Sequence, residues 1–409
     1  MLSWGESMTG GGAGSTSDLP PPDVDAARQS ARVFAHVSES IAAAGGWWSF
    51  AEYHDCVLHA PGLGYYSAGA SKFGAAGDFV TAPELSRLFA RTCATQLDLC
   101  LRVHGGELLE IGPGTGSFAA ESLEIFALLG TPLERYALLD TSADMRARQR
   151  ARLLASPAAQ VIDCTWPDAW PQPFTGVVFG NELLDAMPCE RFLMRDGVPW
   201  RLGVGLEAGR LVWRARPADG ACAGDDAFVR YLQAALADIS LPDGYRGEFH
   251  PGFDAWFAAL GAVLRRGTVL LADYGLPRRQ LFHPERTMGS LRCHYRHRAH
   301  DDPFLWPGLV DVTAWVDFTA VAESATRAGF EVAGFTTQTA FLLGGGIEAQ
   351  LAAAQADARD ESESVAIAHG ARQLLMPGEM GEAVKVMLLT RDCDIDLPGF
   401  AFADLTHSL

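Results

Sequence analysis

The sequence predicts an α/β protein built on a parallel, doubly wound sheet, preceded by helices and interrupted by an antiparallel insertion. Three observations predict it. A short apolar run, Glu107–Ile111, is followed at once by the glycine turn Gly112-Pro-Gly-Thr-Gly116 and a helical stretch through Leu129. The same strand-then-helix unit returns as Tyr136–Leu139 with Ala143–Leu154, and this alternation marks parallel strands joined by crossover helices. From Arg191 to Ala215 the alternation gives way to three short strand-like runs parted by Asp-Gly and Ala-Gly turns, an antiparallel pattern.

Taken in order, residues 1–22 are rich in Gly, Ser and Pro and read as a disordered lead. They lack the apolar core of a signal peptide and the acid-poor, arginine-rich character of a transit peptide. Residues 23–104 read as a helical and loop region. Val33, Val37 and Ile41 set a helical period over Asp23–Ser40, and Leu85, Leu88, Phe89, Leu97 and Leu101 set another over Pro83–Arg102. Between them, Trp47–Ala82 is dense in glycine and aromatics and reads as ordered loop. Residues 105–189 form the first part of the sheet, with a third strand over Gln160–Ile162 ending at Asp163. A fourth, Val177–Phe179, runs into Gly180-Asn181-Glu182. Residues 190–250 are the insertion, with a helix over Asp226–Ala237. Residues 251–393 resume the sheet: a helix near Phe253–Leu264, then Gly267–Ala272 ending at Asp273. A loop over 276–308, suited to a lid, precedes a helix over Trp315–Ala328. Two late apolar runs, Glu331–Phe335 and Ala383–Thr390, read as an antiparallel completion. Residues 394–409 are a tail.

Composition narrows the function. The 409 residues are 48% hydrophobic and 20% charged, an ordinary globular balance that suits one large α/β domain with insertions, or two domains. No apolar run reaches the ~18 residues of a membrane-spanning helix, so no membrane insertion is expected. A formal net charge of −18 works against nucleic-acid backbones; it favours cationic partners or simply keeps the protein dispersed. Lys72 and Lys385 are the only lysines among 32 basic residues. That bias reads as the base composition of a GC-rich genome, and the bacterial cytoplasm is expected ahead of the mitochondrial matrix. The eight cysteines form no CxxC pair, which argues against a zinc ribbon or a redox motif.

The glycine turn carries the first chemistry. Glu110-Ile-Gly112-Pro113-Gly114-Thr115-Gly116 lies between a strand and a helix, the context that gives such a loop meaning. Glycines let a ligand approach the backbone, and the helix start behind them offers free N–H groups to a carboxylate. Asp140, ending the next strand, is placed to accept both hydroxyls of a ribose. A dinucleotide fingerprint fits less well: its third glycine would fall at Ser117, and Asp140 lies 28 residues beyond Gly112 where ~20 is usual. With Glu110 before the loop to hold a methionyl end, the pattern points to S-adenosylmethionine and a methyltransferase. Asp163 is a candidate near the adenine, and Asn181 a further cofactor contact.

Asn181-Glu182-Leu-Leu-Asp185-Ala-Met-Pro188 follows the fourth strand, and in open α/β sheets ligands sit beyond the carboxyl ends of strands. Glu182 and Asp185 would stand beside the donor methyl, where paired carboxylates orient a guanidinium. Of equal weight is the alternative that Asp185 caps a helix and Glu182 pairs with a structural arginine. Glu248 and Asp273 are the next candidates for catalysis. Cys293, His294, His297 and His300 have ligand-type spacing, but the arginines between them oppose a metal, and no metal site is assigned.

Several motifs together resemble the MidA-like family, related to a mitochondrial arginine methyltransferase that assists assembly of respiratory complex I. They are Gly64-Tyr-Tyr66, Phe73-Gly74, Gly77-Asp-Phe-Val-Thr-Ala-Pro83, Leu109–Gly116, Asn181–Pro188, Asp273-Tyr-Gly275, Arg286–His300, Pro307-Gly308, Asp311-Val-Thr313 and Met380-Gly381. Ser290 stands where the pattern has threonine. The resemblance implies a Rossmann-like class I methyltransferase with a seven-stranded, mostly parallel sheet, using S-adenosyl-L-methionine and releasing S-adenosyl-L-homocysteine. It implies an acceptor protein with an accessible arginine, a complex I subunit in the mitochondrial case, and allows a homodimer. A small-molecule methyltransferase and a non-catalytic assembly factor are the rival readings.

Overall fold

A computed structural model describes residues 19–67 and 81–409. Most of the N-terminal lead, together with the Phe73-Gly74 and Gly77–Val80 motifs, lies outside the described residues.

Seven strands make the central sheet: β1 (Glu107–Ile111), β2 (Arg135–Leu139), β3 (Asp163–Thr165), β4 (Phe174–Asn181), β5 (Leu264–Leu276), β6 (Glu331–Thr337) and β7 (Val384–Arg391). They are ordered β6-β7-β5-β4-β1-β2-β3. All pairings among β1 to β5 are parallel, and β7 alone runs against its two neighbours. A two-residue strand, Val316–Asp317, extends the carboxyl end of β5. The strands read as unbroken apolar runs because both faces are covered. Leu108, Val177, Phe179 and Leu270 pack toward the helices Arg87–His104 and Ser117–Leu129. Their neighbours Leu109, Val178, Val269 and Leu271 pack toward Phe253–Val263 and Phe318–Arg327. Alternate residues of a strand point to opposite faces, so each run feeds two cores.

The insertion folds as Glu190–Arg195, Val198–Glu207 and Arg210–Pro217, joined by Trp48–Ser49 and Arg246–Phe249 into a five-stranded antiparallel sheet. A third sheet, Arg298–His300, Arg292–Tyr295 and Asp311–Thr313, also runs antiparallel.

Several expectations are corrected. The stretch 47–82 is not all loop: Phe50–His59 is a helix closed by a full capping box, Ser49 with Glu52, a signal present in the sequence but masked by the surrounding aromatics. The helix over Pro83–Arg102 is two, Ala82–Leu85 and Arg87–His104, parted by Ser86 in an extended conformation. The third strand begins at Asp163, whereas residues 158–160 form a 3-10 turn. The 276–308 segment carries the short helix Arg278–Leu281 and the Arg292–His300 hairpin. Four helices, Gln338–Gly344, Ile347–Ala356, Glu361–Leu375 and the short Met380–Ala383, separate β6 from β7.

Two glycines let the central strands pack. Gly176 and Gly267 are paired across β4 and β5, and Gly176 also pairs with Glu107. Both have positive φ, and an added Cβ would lie 2.0 Å from the Glu107 carbonyl oxygen and 1.8 Å from that of Gly176, respectively. Backbone cannot yield as a flexible side chain can. Gly176→Ala is expected to destabilise the fold by about 3 kcal/mol or more, read as a lowered denaturation midpoint; an unchanged midpoint would refute this account of the sheet centre.

Candidate active site and its cofactor

A cavity of about 540 Å³ opens at the carboxyl ends of β1, β2, β4 and β5. Its two ends differ in chemistry.

The glycine-loop end is lined by Glu110, Gly112, Pro113, Gly114, Thr115 and Ser117. Gly112, Gly114 and Gly116 all have positive φ, which is why no residue with a Cβ serves as well. Gly116 does not line the cavity; it precedes the helix Ser117–Leu129 and packs against Gln149. The Tyr136 hydroxyl donates to Glu110 at 2.8 Å, and burial pushes the Glu110 carboxyl up to about 8. Asp140 accepts from the Ser142 amide and from Gln149 Nε2, each at 2.8 Å. Burial raises its pKa against those bonds. Gln149 also donates to the Gly114 carbonyl and accepts from Trp166 Nε1. This buried glutamine, unremarked in the sequence, ties the glycine loop to Asp140.

Asp163 does not reach the site. It opens β3 at the sheet's amino edge and pairs with Arg135 at 3.0 Å, far down the strand from the crevice. The loop after β3 supplies Asp168, Ala169 and Trp170 to the wall instead.

The second end holds the carboxyls. Glu182, with a left-handed φ of 49°, accepts from the Ala82 amide and Asn181 Nδ2, both on Oε1 at 3.1 Å. Burial raises it to about 8, with Asp273 and Asp311 adding repulsion. Asp185 is buried beside it and adjoins Asp273, its pKa driven up by burial and by its acidic neighbours. Asp273 lies behind the wall and accepts from the amides of Leu183, Leu184 and Tyr274 at 2.9, 2.6 and 2.9 Å. Burial raises it to about 7. Among the described residues, none of these three pairs with a cationic side chain. Asp311, a strand residue given no role from the sequence, lines the same end and accepts from the Tyr66 hydroxyl at 2.8 Å. His59 stacks on Tyr66, and Tyr274 and His294 complete the wall.

Glu248 is not at the cavity surface. It pairs with Arg191 at 2.9 Å and accepts from the Ser290 amide and hydroxyl at 2.7 and 3.2 Å. The Ser290 hydroxyl in turn accepts from the Trp315 amide, a bond that threonine would make equally. Glu248 is thus a positioning residue for the wall residues Gly289 and Ser290. Among the described residues, no three His, Cys, Asp or Glu side chains are grouped to hold a metal, and no helix is long and apolar enough to cross a membrane.

The residues present fit S-adenosylmethionine. Asn181 Oδ1 is buried in the cavity wall without a partner, an acceptor that a bound amine or hydroxyl would satisfy. Glu110 and the glycine loop would hold the amino-acid end and Asp140 the ribose. Fold and site together define a class I S-adenosylmethionine-dependent methyltransferase. A family profile described as "Putative S-adenosyl-L-methionine-dependent methyltransferase" matches residues 88–336; the chain belongs to that family, and within it to the MidA-like group. A Burkholderia thailandensis crystal structure of a candidate methyl transferase with S-adenosyl-homocysteine bound is similar to it. That chain is 42% identical, with a TM-score of 0.88 over 96% of this chain and 100% of the other. The mitochondrial protein arginine methyltransferase NDUFAF7 homolog of Drosophila melanogaster is 28% identical, over 83% of this chain and 80% of its own length. The human NDUFAF7 is 25% identical, over 81% and 77%. The cofactor is S-adenosyl-L-methionine.

Two outcomes follow from this geometry. Asp140→Ala is expected to abolish measurable S-adenosylhomocysteine binding, and Gln149→Leu to weaken it about tenfold, by calorimetric titration; unaltered affinity in both would misplace the ribose end. The second concerns pH. Glu182 rises from an ordinary 4.5 to about 8 on folding, so the folded state holds the extra proton in that window. Its contribution is therefore most favourable below the window and is lost as pH rises through it. Glu182→Gln should match wild type in Tm near the lower limit and exceed it increasingly toward the upper one. A constant difference would contradict the shift.

Proposed function

We propose that the enzyme methylates an arginine side chain of a protein. The observation that carries the reading is the group of carboxyls at the acceptor end, Glu182 and Asp185 backed by Asp273, which among the described residues pair with no cationic side chain. Two cations do line the cavity, but Arg292 is paired with Asp301 and Arg286 lies over the Trp315 ring at 5.0 Å. Buried acids that repel one another are costly unless a cation joins them. A guanidinium supplies that charge, with planar donors suited to carboxylates. The activity for which the NDUFAF7 relatives are named, protein arginine methylation, supports the same class. A respiratory-complex subunit in a bacterial cytoplasm is the setting the resemblance suggests.

The cofactor supplies an activated methyl group, so the protein's task is alignment and proton transfer. Glu182 keeps Oε2 for the acceptor, since both of its bonds fall on Oε1. An ordinary guanidinium holds its proton to above ~12. Carboxylates on one side localise its charge, and Glu182 accepts the nitrogen's proton as the carbon–nitrogen bond forms. Asp185 and Asp273 adjoin; burial raises both and the Asp273 charge raises Asp185 further, which favours a single negative charge over two. Tyr66 and Tyr274 line the same end.

Labelled methyl transfer into the protein fraction of an extract lacking this enzyme tests the reading. A labelled band whose label maps to arginine is expected. Glu182→Gln and Asp311→Asn should each lower turnover on the order of a hundredfold while S-adenosylhomocysteine affinity stays within about twofold. Label confined to small molecules, or full turnover by Glu182→Gln, would overturn it.

A further inference from the structure

The segment just before the sheet reaches into the cofactor end of the cavity. Thr81, Pro83 and Glu84 line it, although more than twenty residues separate Glu84 from the glycine loop in sequence. Glu84 sits in the short helix Ala82–Leu85, its side chain only 15% exposed, and accepts from the Thr115 hydroxyl of the glycine loop. Arg152, from the helix Ala143–Leu154, lies 3.4 Å from Glu84 and donates to the Ser117 hydroxyl. A second carboxyl, Glu110, faces the same end from β1.

This end therefore combines two carboxyl groups with hydroxyl and helix-start N–H donors, with the Arg152 guanidinium behind them. Those are the complements of a zwitterion: acids for an ammonium, donors for a carboxylate. Nothing else in the arrangement needs both. Were Glu84 there only to fasten its own short helix, the Ala82 amide bond to Glu182 and the Thr81 carbonyl, which accepts from Glu84 and Leu85, would already do so.

We propose that Glu84, with Arg152 behind it, is a cofactor-positioning pair that binds the α-amino-acid end of S-adenosylmethionine, Glu84 taking the ammonium together with Glu110. Because Ala82 in the same segment donates to Glu182, the strap that grips the amino-acid end also orients the acceptor-side carboxylate. Cofactor and acceptor ends are joined through four residues.

The test compares two ligands on one variant by calorimetric titration: S-adenosylhomocysteine, and 5′-methylthioadenosine, which keeps the nucleoside and thioether but lacks the amino-acid end. Glu84→Gln should weaken S-adenosylhomocysteine roughly ten- to a hundredfold and leave methylthioadenosine within about twofold. Glu84→Asp should recover part of the loss. Methylthioadenosine binding also reports that the variant is folded, so a loss of both ligands assigns Glu84 a structural role and overturns the proposal. Equal affinity of wild type and Glu84→Gln for S-adenosylhomocysteine overturns it as well. Both readouts are independent of the acceptor's identity.

Discussion

The turn that carries the acceptor-side acids depends on one buried carboxylate. Asp273, at the end of β5, takes the amides of Leu183 and Leu184 from the turn after β4, and that of its own neighbour Tyr274. Parallel strands end with free N–H groups pointing into the crevice, and a buried donor without a partner is costly. Asp273 satisfies these while stitching β4 to β5. Glu182 can then sit at a φ of 49°, a conformation that costs a residue with a Cβ about 1 kcal/mol or more. The strain is held by bonds on both sides, Asp273 beneath and Ala82 above. Without that frame the turn would relax, and the acids would no longer converge.

Around this frame the cavity is assembled from three parts of the chain. The sheet supplies Glu110, Asp140, Glu182 and Asp185; the N-terminal region supplies His59, Tyr66 and Glu84; the small third sheet supplies His294 and Asp311. Each contribution is tied to the others by a polar bond: Tyr66 to Asp311, Thr115 to Glu84, Ala82 to Glu182. Behind the wall, the ion pair of Arg191 and Glu248 performs the same service for Gly289 and Ser290, and Arg191 also donates to the Met288 carbonyl. A buried pair of this kind gains little net stability against its desolvation. Its value here is geometric, because each partner's remaining bonds fall on the loop that shapes the acceptor end.

The legibility of the sequence divides along the same lines. The strand–turn–helix units from Glu107 to Leu154 were readable because each is local: an apolar run, glycines where φ must be positive, then a helical period. Asp163 was misplaced because β3 is three residues long, and the apolar residues before it belong to a turn. The helix Phe50–His59 was hidden by aromatics that serve a separate core, although its capping box stood in plain view. Glu84, Gln149 and Asp311 carried no signal of their own. Gln149 sits on an arginine-rich helix that reads as a solvated face, and the other two come to the cavity only by long-range packing. Glu248 showed the opposite failure: a buried acid invites a catalytic role, yet its bonds are spent on structure.

That contrast gives a criterion for the remaining acids. Glu248 has a guanidinium and two hydrogen bonds. Among the described residues, Glu182 and Asp185 have hydrogen bonds but no guanidinium, and burial and acidic neighbours both raise them. A fold selected for stability alone would replace such a group with apolar residues or supply an arginine, as it does elsewhere: Glu190 and Asp225 share Arg201, and Asp317 meets Arg278. Among the described residues, the arginines that line the cavity, Arg286 and Arg292, lie on Trp315 and Asp301 and form no ion pair with Glu182 or Asp185. On the proposed function, the physical consequence would be selectivity by charge. A cationic acceptor relieves the repulsion on entering, whereas a neutral one of the same shape must leave buried acids unpaired or protonated, and a site built this way discriminates more sharply than an apolar pocket of equal size.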